Sequence, residues 1–154
     1  MAGRGDVGKT TASKRLPSPW YSLSDDSSLI VLDKKNNYRA HPWPTWSSLI
    51  SGEKVQTWDV QSSVPLKAIF ILSQSETDKI EQIGKGQAVC LLNETVDQAW
   101  WGLDSRLRDK EKHALRLQRF DNICKLVEEI PTYLLHISKN GSFWEEIEKV
   151  LPES

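Results

Sequence analysis

The residues best suited to chemistry stand near the start of the chain, where residues 3–10 read Gly-Arg-Gly-Asp-Val-Gly-Lys-Thr. This sequence matches the glycine-rich pattern G-x-x-x-x-G-K-[ST] of a phosphate-binding P-loop. In such a loop the backbone N–H groups, together with the start of the following helix, surround phosphate oxygens. The motif therefore predicts a site for a nucleoside triphosphate.

The residues of the motif have separate expected roles. Glycines are expected where the backbone needs dihedral angles, or a close approach, that a Cβ would block. Lys9 is expected to reach the outer phosphates, and Thr10 to offer its hydroxyl to Mg²⁺. The predicted nucleotide-binding residues are Gly3, Gly5, Asp6, Val7, Gly8, Lys9, Thr10 and Thr11.

A carboxylate that holds the metal is the second requirement of most P-loop enzymes. The strand predicted at residues 66–72 ends in Ser73-Gln74, which carries no acid. The adjacent pair Asp25-Asp26, which follows the P-loop closely, is the candidate instead. The alternative interpretation of this pair is a solvated turn or a helix cap.

The elements around the motif follow from hydrophobic periodicity and from breaker residues. Residues 9–16 predict a short helix that is ended by Pro17 and Pro19, and a brief strand is expected at residues 20–23. A hairpin is predicted from residues 28–32 and 38–40. Residues 41–46 contain two prolines and are expected to be irregular. A short helix from Thr45 and an edge strand at residues 55–60 complete this half.

The second half of the chain alternates strands and helices. The predicted strands are residues 66–72, which read as buried and central, 80–83 and 133–137, and the predicted helices are residues 86–99, 109–129 and 143–151. This alternation indicates one α/β domain over residues 1–154 with a mixed β-sheet.

The P-loop is expected to follow a buried strand that anchors it. Met1 and Ala2 alone precede Gly3 in this chain. We therefore expect either an amino-terminal truncation or an anchoring strand that comes from elsewhere.

Composition excludes several classes of partner. The 20 basic residues nearly cancel the 21 acidic residues, so nucleic acid and anionic membranes are not expected partners. No apolar run approaches the roughly 20 residues that span a bilayer, and a cytoplasmic location is expected. Cys90 and Cys124 are expected to be buried, reduced thiols. Seven tryptophans include the adjacent pair Trp100-Trp101, one of which is expected to face a partner or a second subunit of a homo-oligomer.

The spacing of Gly-Lys-Thr-Thr and Leu-Ser-Asp-Asp resembles the HPr kinase and phosphoenolpyruvate carboxykinase superfamily. Residues 41–46 and 64–72 and the helix start at Gly86-Gln87-Ala88 are similar to HPr-kinase-related proteins of peptide-modification gene clusters. Within these, the chain most resembles the SynChlorMet cassette family. The resemblance covers most of the chain, but the carboxy-terminal signature of true HPr kinase is missing.

The resemblance implies an HPr-kinase-type P-loop fold and an ATP- and Mg²⁺-dependent phosphotransferase. Asp26 would hold the metal, Asp25 would accept the proton of a serine or similar hydroxyl, and the acceptor would be a peptide or protein. Arg39 and His41 are candidates for contact with the substrate, and structural roles in the hairpin are their alternative.

A different class of function is also open, namely a nucleotide-binding regulatory or scaffold subunit of a peptide-modifying complex with no turnover of its own. A switch GTPase is disfavoured because the sequence lacks the Asn-Lys-x-Asp signature for guanine.

Overall fold

The computed structural model describes residues 1–24, 27–43, 58–100 and 107–151, with the backbone alone at Trp100. Its contacts divide the chain into two units, Thr10–Leu66 and the combination of Met1–Lys9 with Lys67–Ser154. The described chain is mixed α/β and contains two small open sheets.

The chain enters Thr10–Leu66 through helix α1 (Lys9–Arg15), which ends before Pro17 as predicted. Its last turn carries Lys14 and Arg15, which suit the negative end of the helix dipole. The strand predicted at residues 20–23 is wrong. Local turns satisfy the backbone there instead, since the Trp20 N–H donates to the Pro17 carbonyl at 2.9 Å.

The predicted hairpin is confirmed as strands β1 (Ser27–Leu32) and β2 (Tyr38–Trp43), which pair antiparallel. Asp33 shapes the connection, because its Oδ1 accepts the N–H groups of Lys35 at 2.7 Å and Asn37 at 2.9 Å. The Asn37 N–H lowers the pKa of Asp33 below its usual value. The Asp33 carboxylate thus accepts backbone N–H groups of the turn that strand pairing leaves without a partner.

β2 continues through three residues that were expected to be irregular, so that expectation is wrong for residues 41–43. Pro42 pairs with Ser28 on β1. The third strand of this sheet, β3 (Val64–Pro65), pairs with β2 at Arg39 and Ala40 and stops short of Pro42. Pro42 therefore meets a described strand on one side, where a missing N–H is tolerated.

Several predictions in this unit fall outside the described residues. They are the metal-binding pair Asp25-Asp26, the helix from Thr45 and the first part of the strand at residues 55–60. Residues 58–60 of that predicted strand are described and form no strand.

The second sheet lies in the other unit and contains β4 (Ile69–Gln74), β5 (Lys79–Gln82) and β6 (Thr132–Ile137). The strand order is β4-β6-β5, in which β6 runs parallel to β4 and antiparallel to β5. This confirms a mixed sheet. β4 starts three residues later than predicted, and its first four residues are buried, as a strand in the core requires.

The helices of this unit are α2 (Lys85–Trp100), α3 (Asp109–Glu129) and α4 (Phe143–Glu148). α2 and α3 are antiparallel neighbours, because Lys85 pairs with Glu128 while Asp97 accepts from Arg119 at 3.1 Å. Together with the sheet they enclose a core of Ile69, Phe70, Ile71, Leu72, Ala88, Leu92, Ile123, Val127, Leu135, Ile137, Phe143 and Ile147. None of the described helices has the length and apolar character needed to cross a membrane.

The two cysteines are free, but the expectation that both are buried is wrong. Cys90 is exposed, and Cys124 is half-buried. Cys90 follows buried Ala88 by two residues on α2, and residues at that spacing point to different sides of a helix.

Asp78 joins the loop after β4 to the loop after β6. Its Oδ1 accepts the Ser138 N–H at 2.5 Å, and the Gly141 N–H donates to Ser138 Oγ at 2.9 Å. A Cβ on Gly141 would lie 1.9 Å from Asp78 Oδ2 and 2.5 Å from Ser138 Oγ. The absence of a side chain at Gly141 is therefore a requirement of this contact.

We predict opposite effects for two glycine substitutions in this unit. Gly141→Ala forces Asp78 away from Ser138 and should lower the free energy of unfolding by about 2 kcal/mol, the value of a hydrogen bond to a charged group. Gly86→Ala lies in the first turn of α2, where a Cβ meets open space, and should raise it by about 0.5 kcal/mol. Urea denaturation of both variants tests this, and equal effects would contradict the proposed role of Gly141.

Candidate functional site

The glycine-rich loop (residues 3–8) is attached to the sheet through Ala2. The Ala2 N–H donates to the Phe70 carbonyl at 2.7 Å, and the Leu72 N–H donates to the Ala2 carbonyl at 2.9 Å. These bonds form a parallel bridge between Ala2 and Ile71 of β4. Ala2 is a single bridge residue and not a strand, so the loop begins beside β4 at this one residue and leads directly into α1.

Two of the three loop glycines meet a conformational requirement. Gly8 has φ 96°, in the left-handed region that a Cβ disfavours. A Cβ on Gly3 would lie 2.8 Å from Val7 Cγ1, so close packing explains glycine there. At Gly5 neither constraint is present, since a Cβ would meet open space. Asp6 has φ 59°, a conformation that aspartate tolerates better than most residues.

Lys9 lies against the loop that precedes it. Its Nζ donates to the Gly3 carbonyl at 2.9 Å and to the Arg4 carbonyl at 2.8 Å. The ammonium group is therefore held at the loop by two neutral acceptors. Because hydrogen bonds between two charged groups are stronger than these, an anion would be the better partner for Lys9.

Side chains that the motif does not identify also contact the loop. Gln74, at the end of β4, donates through Nε2 to the Asp6 carbonyl at 3.3 Å. Glu94 and Gln98 of α2 accept hydrogen bonds from Arg4 and from the Gly5 backbone. Sequence reasoning missed these residues. Glu94 and Gln98 are 90 or more positions away from their partners Arg4 and Gly5 along the chain. No pattern in the sequence indicates which side of α2 faces the loop.

The remaining P-loop residues, Thr10 and Thr11, are exposed in the first turn of α1. Their hydroxyls stand directly after Lys9 along the chain, as the motif requires. Asp25 and Asp26, the predicted catalytic and metal-binding pair, lie outside the described residues. Within the described part of the chain, no three His, Cys, Asp or Glu side chains group as metal ligands would.

Arg39 and His41 lie on one face of β2, since they are two residues apart on a strand. Arg39 donates from Nε to Ser63 Oγ and from Nη2 to the Ser63 carbonyl, each at 2.7 Å. These contacts join β2 to the residue that precedes β3, which favours the structural alternative for Arg39. His41 is half-buried opposite Leu29 of β1.

Two further histidines lie away from the glycine-rich loop. His113 is exposed on α3. His136 Nε2 lies 3.8 Å from Glu81 Oε2 on the adjacent strand β5. Lys79 also pairs with Glu81 and lowers the pKa of that carboxyl. The cluster is partly exposed, and its contact between His136 and Glu81 is a cross-strand pair of the kind that supports the pairing of β5 and β6.

The loop and its neighbours bring together groups that bind anions. Backbone N–H donors, the Lys9 ammonium and the Arg4 guanidinium all lie within residues 3–9. They stand at the carboxyl ends of parallel strands, where ligands bind in open α/β sheets. Such a site can hold a phosphate group by local geometry, without help from the net charge of −1.

Comparison with curated proteins and with solved structures finds no match for this chain. A protein-family model does match, and its description is SynChlorMet cassette protein ScmC. The match extends over residues 1–152, which is nearly the whole chain. The chain therefore belongs to the SynChlorMet cassette protein ScmC family.

Proposed function

We propose that this protein is an ATP-dependent phosphotransferase of the HPr-kinase-like type, with a P-loop domain of that superfamily. The observation that carries the proposal is the loop of residues 3–10. It runs from the β4-paired Ala2 into α1, with Gly8 in a left-handed conformation and Lys9 held against the loop. This combination of sequence pattern and backbone geometry serves phosphate binding.

Binding would exchange weak partners of the loop for strong ones. Lys9 now donates to backbone carbonyls, which are neutral. A triphosphate would offer charged oxygens to the same ammonium and to the loop N–H groups. At the loop N–H groups these would be charge-assisted hydrogen bonds, roughly twice as strong as neutral ones, and at Lys9 the attraction between opposite charges would be added. Lys9 and the loop N–H groups therefore favour an anionic ligand such as a nucleotide over an uncharged one.

The transfer step would move the γ-phosphoryl group of ATP to a hydroxyl. The bond from the γ-phosphorus to its bridging oxygen breaks, the acceptor oxygen bonds to that phosphorus, and ADP leaves. Asp25 would receive the hydroxyl proton. Thr10 and Asp26 would hold Mg²⁺, which neutralises phosphate charge when it is bound. These two aspartate roles come from the resemblance to HPr kinase.

The acceptor would be a peptide or a protein, in keeping with the family description as a cassette protein. Trp43, at the end of β2, is a candidate for contact with this acceptor. It is 53% exposed, and large exposed aromatic side chains are common at interfaces. The acceptor hydroxyl would belong to serine or a similar residue.

A nucleotide-binding subunit without turnover is the second candidate. It is favoured by the partners that Arg4, the Gly5 N–H and Lys9 have within the chain, which hold the loop in one form. Calorimetry that shows ATP binding, together with no phosphoryl transfer to any acceptor, would select this function.

We expect Lys9→Met to raise the Kd for MgATP at least tenfold. The substitution removes charge-assisted hydrogen bonds worth about 1.5–3 kcal/mol to the bound state, and 1.4 kcal/mol corresponds to tenfold in Kd. Isothermal titration calorimetry measures the effect. Lys125→Met, an exposed lysine on α3, is the matched control and should bind as the wild type does. Equal affinity of all three proteins would contradict a nucleotide site at Lys9.

The aspartate pair is expected to separate binding from turnover. Asp25→Asn should keep MgATP binding while lowering kcat by about 10²–10⁴-fold, the range for loss of a general base. Asp26→Asn should weaken the Mg²⁺ dependence of binding as well as turnover. Acceptor-dependent release of ADP measures kcat. Undiminished turnover in the Lys9 and Asp26 variants would refute the kinase proposal.

A further inference from the structure

Two residues of α2 accept hydrogen bonds from the glycine-rich loop. Gln98 Oε1 accepts the Gly5 N–H at 3.0 Å. Glu94 Oε2 accepts from Arg4 Nε at 3.1 Å and from Arg4 Nη2 at 2.6 Å. Glu94 and Gln98 are four residues apart, so they lie one above the other on the same side of the helix. We call these two residues the acceptor pair.

The chemistry of the acceptor pair resembles that of the ligand expected in the loop. A carboxylate and an amide oxygen are acceptors, as phosphate oxygens are. Arg4 and the Gly5 N–H are donors of the kinds that bind phosphate in proteins. With Lys9 on the carbonyls of Gly3 and Arg4, each of these three donors has a partner from the chain itself.

We infer that the acceptor pair is an autoinhibitory contact, which occupies the donors of the loop and must be displaced before a nucleotide phosphate binds. This inference rests on the proposed nucleotide site. It adds that α2 regulates the site, because any change that draws Glu94 and Gln98 from the loop raises the affinity for nucleotide. It also adds Arg4 as a phosphate-binding residue once Glu94 releases it.

The size of the effect follows from the two contacts. When part of the population is closed, the apparent Kd equals the intrinsic Kd divided by the open fraction. One hydrogen bond such as Gly5 to Gln98 changes an equilibrium about two- to tenfold. The side chains of Arg4 and Glu94 are 65% and 47% exposed, so water and salt weaken their ion pair to a few-fold effect.

The test compares matched variants on α2 and α3. Gln98→Ala and Glu94→Gln each remove one member of the acceptor pair, and alanine and glutamine keep the propensity of α2 for helix. Gln87→Ala, exposed near the start of the same helix, and Glu129→Gln, exposed on α3, are the controls. Calorimetric titrations use MgATP and, as a probe of the phosphate chain alone, inorganic triphosphate.

We expect Gln98→Ala to lower the Kd for both probes by about two- to tenfold. Glu94→Gln should lower it a few-fold at low salt, and this gain should shrink as salt screens the exposed charge. The gain of Gln98→Ala should persist in salt because the amide is neutral. Both controls should match the wild type. Unchanged or weaker binding in both variants of the acceptor pair would overturn the inference.

A second measurement observes the contact without any nucleotide. Amide hydrogen exchange of Gly5, followed by NMR, should be slow in the wild type and at least several-fold faster in Gln98→Ala, since a bonded N–H is protected. Rapid exchange of Gly5 in the wild type would show that the contact is absent in solution and would refute the inference.

The two measurements also separate this inference from the proposed function. If the wild type binds MgATP and the variants of the acceptor pair do not bind it more tightly, the autoinhibitory contact is refuted and the nucleotide site stands. If neither the wild type nor any variant binds either probe, the nucleotide site is refuted and the inference with it.

Discussion

The two backbone hydrogen bonds between Ala2 and β4 determine where the glycine-rich loop lies. They attach the loop to the edge of the sheet beside Ile71. Because β4 and β6 are parallel, both strands end at the same side of the sheet. Gln74 reaches the Asp6 carbonyl there, and Ile137 lies nearest to the position of a Cβ on Gly8. The site therefore depends on backbone pairing more than on any one side chain.

Hydrophobic periodicity and turn residues in the sequence predicted the elements that depend on short stretches of chain. The long helix α3 was predicted with the bounds that it has, since its apolar positions repeat at helical spacing and Pro131 follows it. The hairpin around Asp33 was likewise predictable from turn residues. The extension of β2 through Pro42 was not, because it depends on which side of the strand has a neighbour. Whether a proline fits a strand is decided by pairing, which no short sequence window contains.

The candidate site shows the same division. Residues 3–10 were identified from spacing alone, because the requirement for glycine and lysine is local. The roles of Gln74, Glu94 and Gln98 depend on packing between segments far apart in the sequence, and single polar residues on a helix carry no signal of it. The structural alternative for Arg39 is favoured by its two contacts with Ser63, which lies 24 positions further along the chain.

The pair of Arg119 and Asp97 has a consequence for how α2 can move. Arg119 is buried on α3, and its Nη2 lies 3.1 Å from Asp97 on α2. A slide of α2 along α3 by one helical turn, about 5.4 Å, would separate this buried guanidinium from the half-exposed carboxylate of Asp97. Moving a carboxylate partner away from a buried guanidinium is unfavourable. The two helices therefore have a preferred register, and small displacements of α2 along α3 are disfavoured. Asp97 is the direct neighbour of Gln98 in the sequence, so the register that Arg119 selects also determines which turn of α2 stands at the loop.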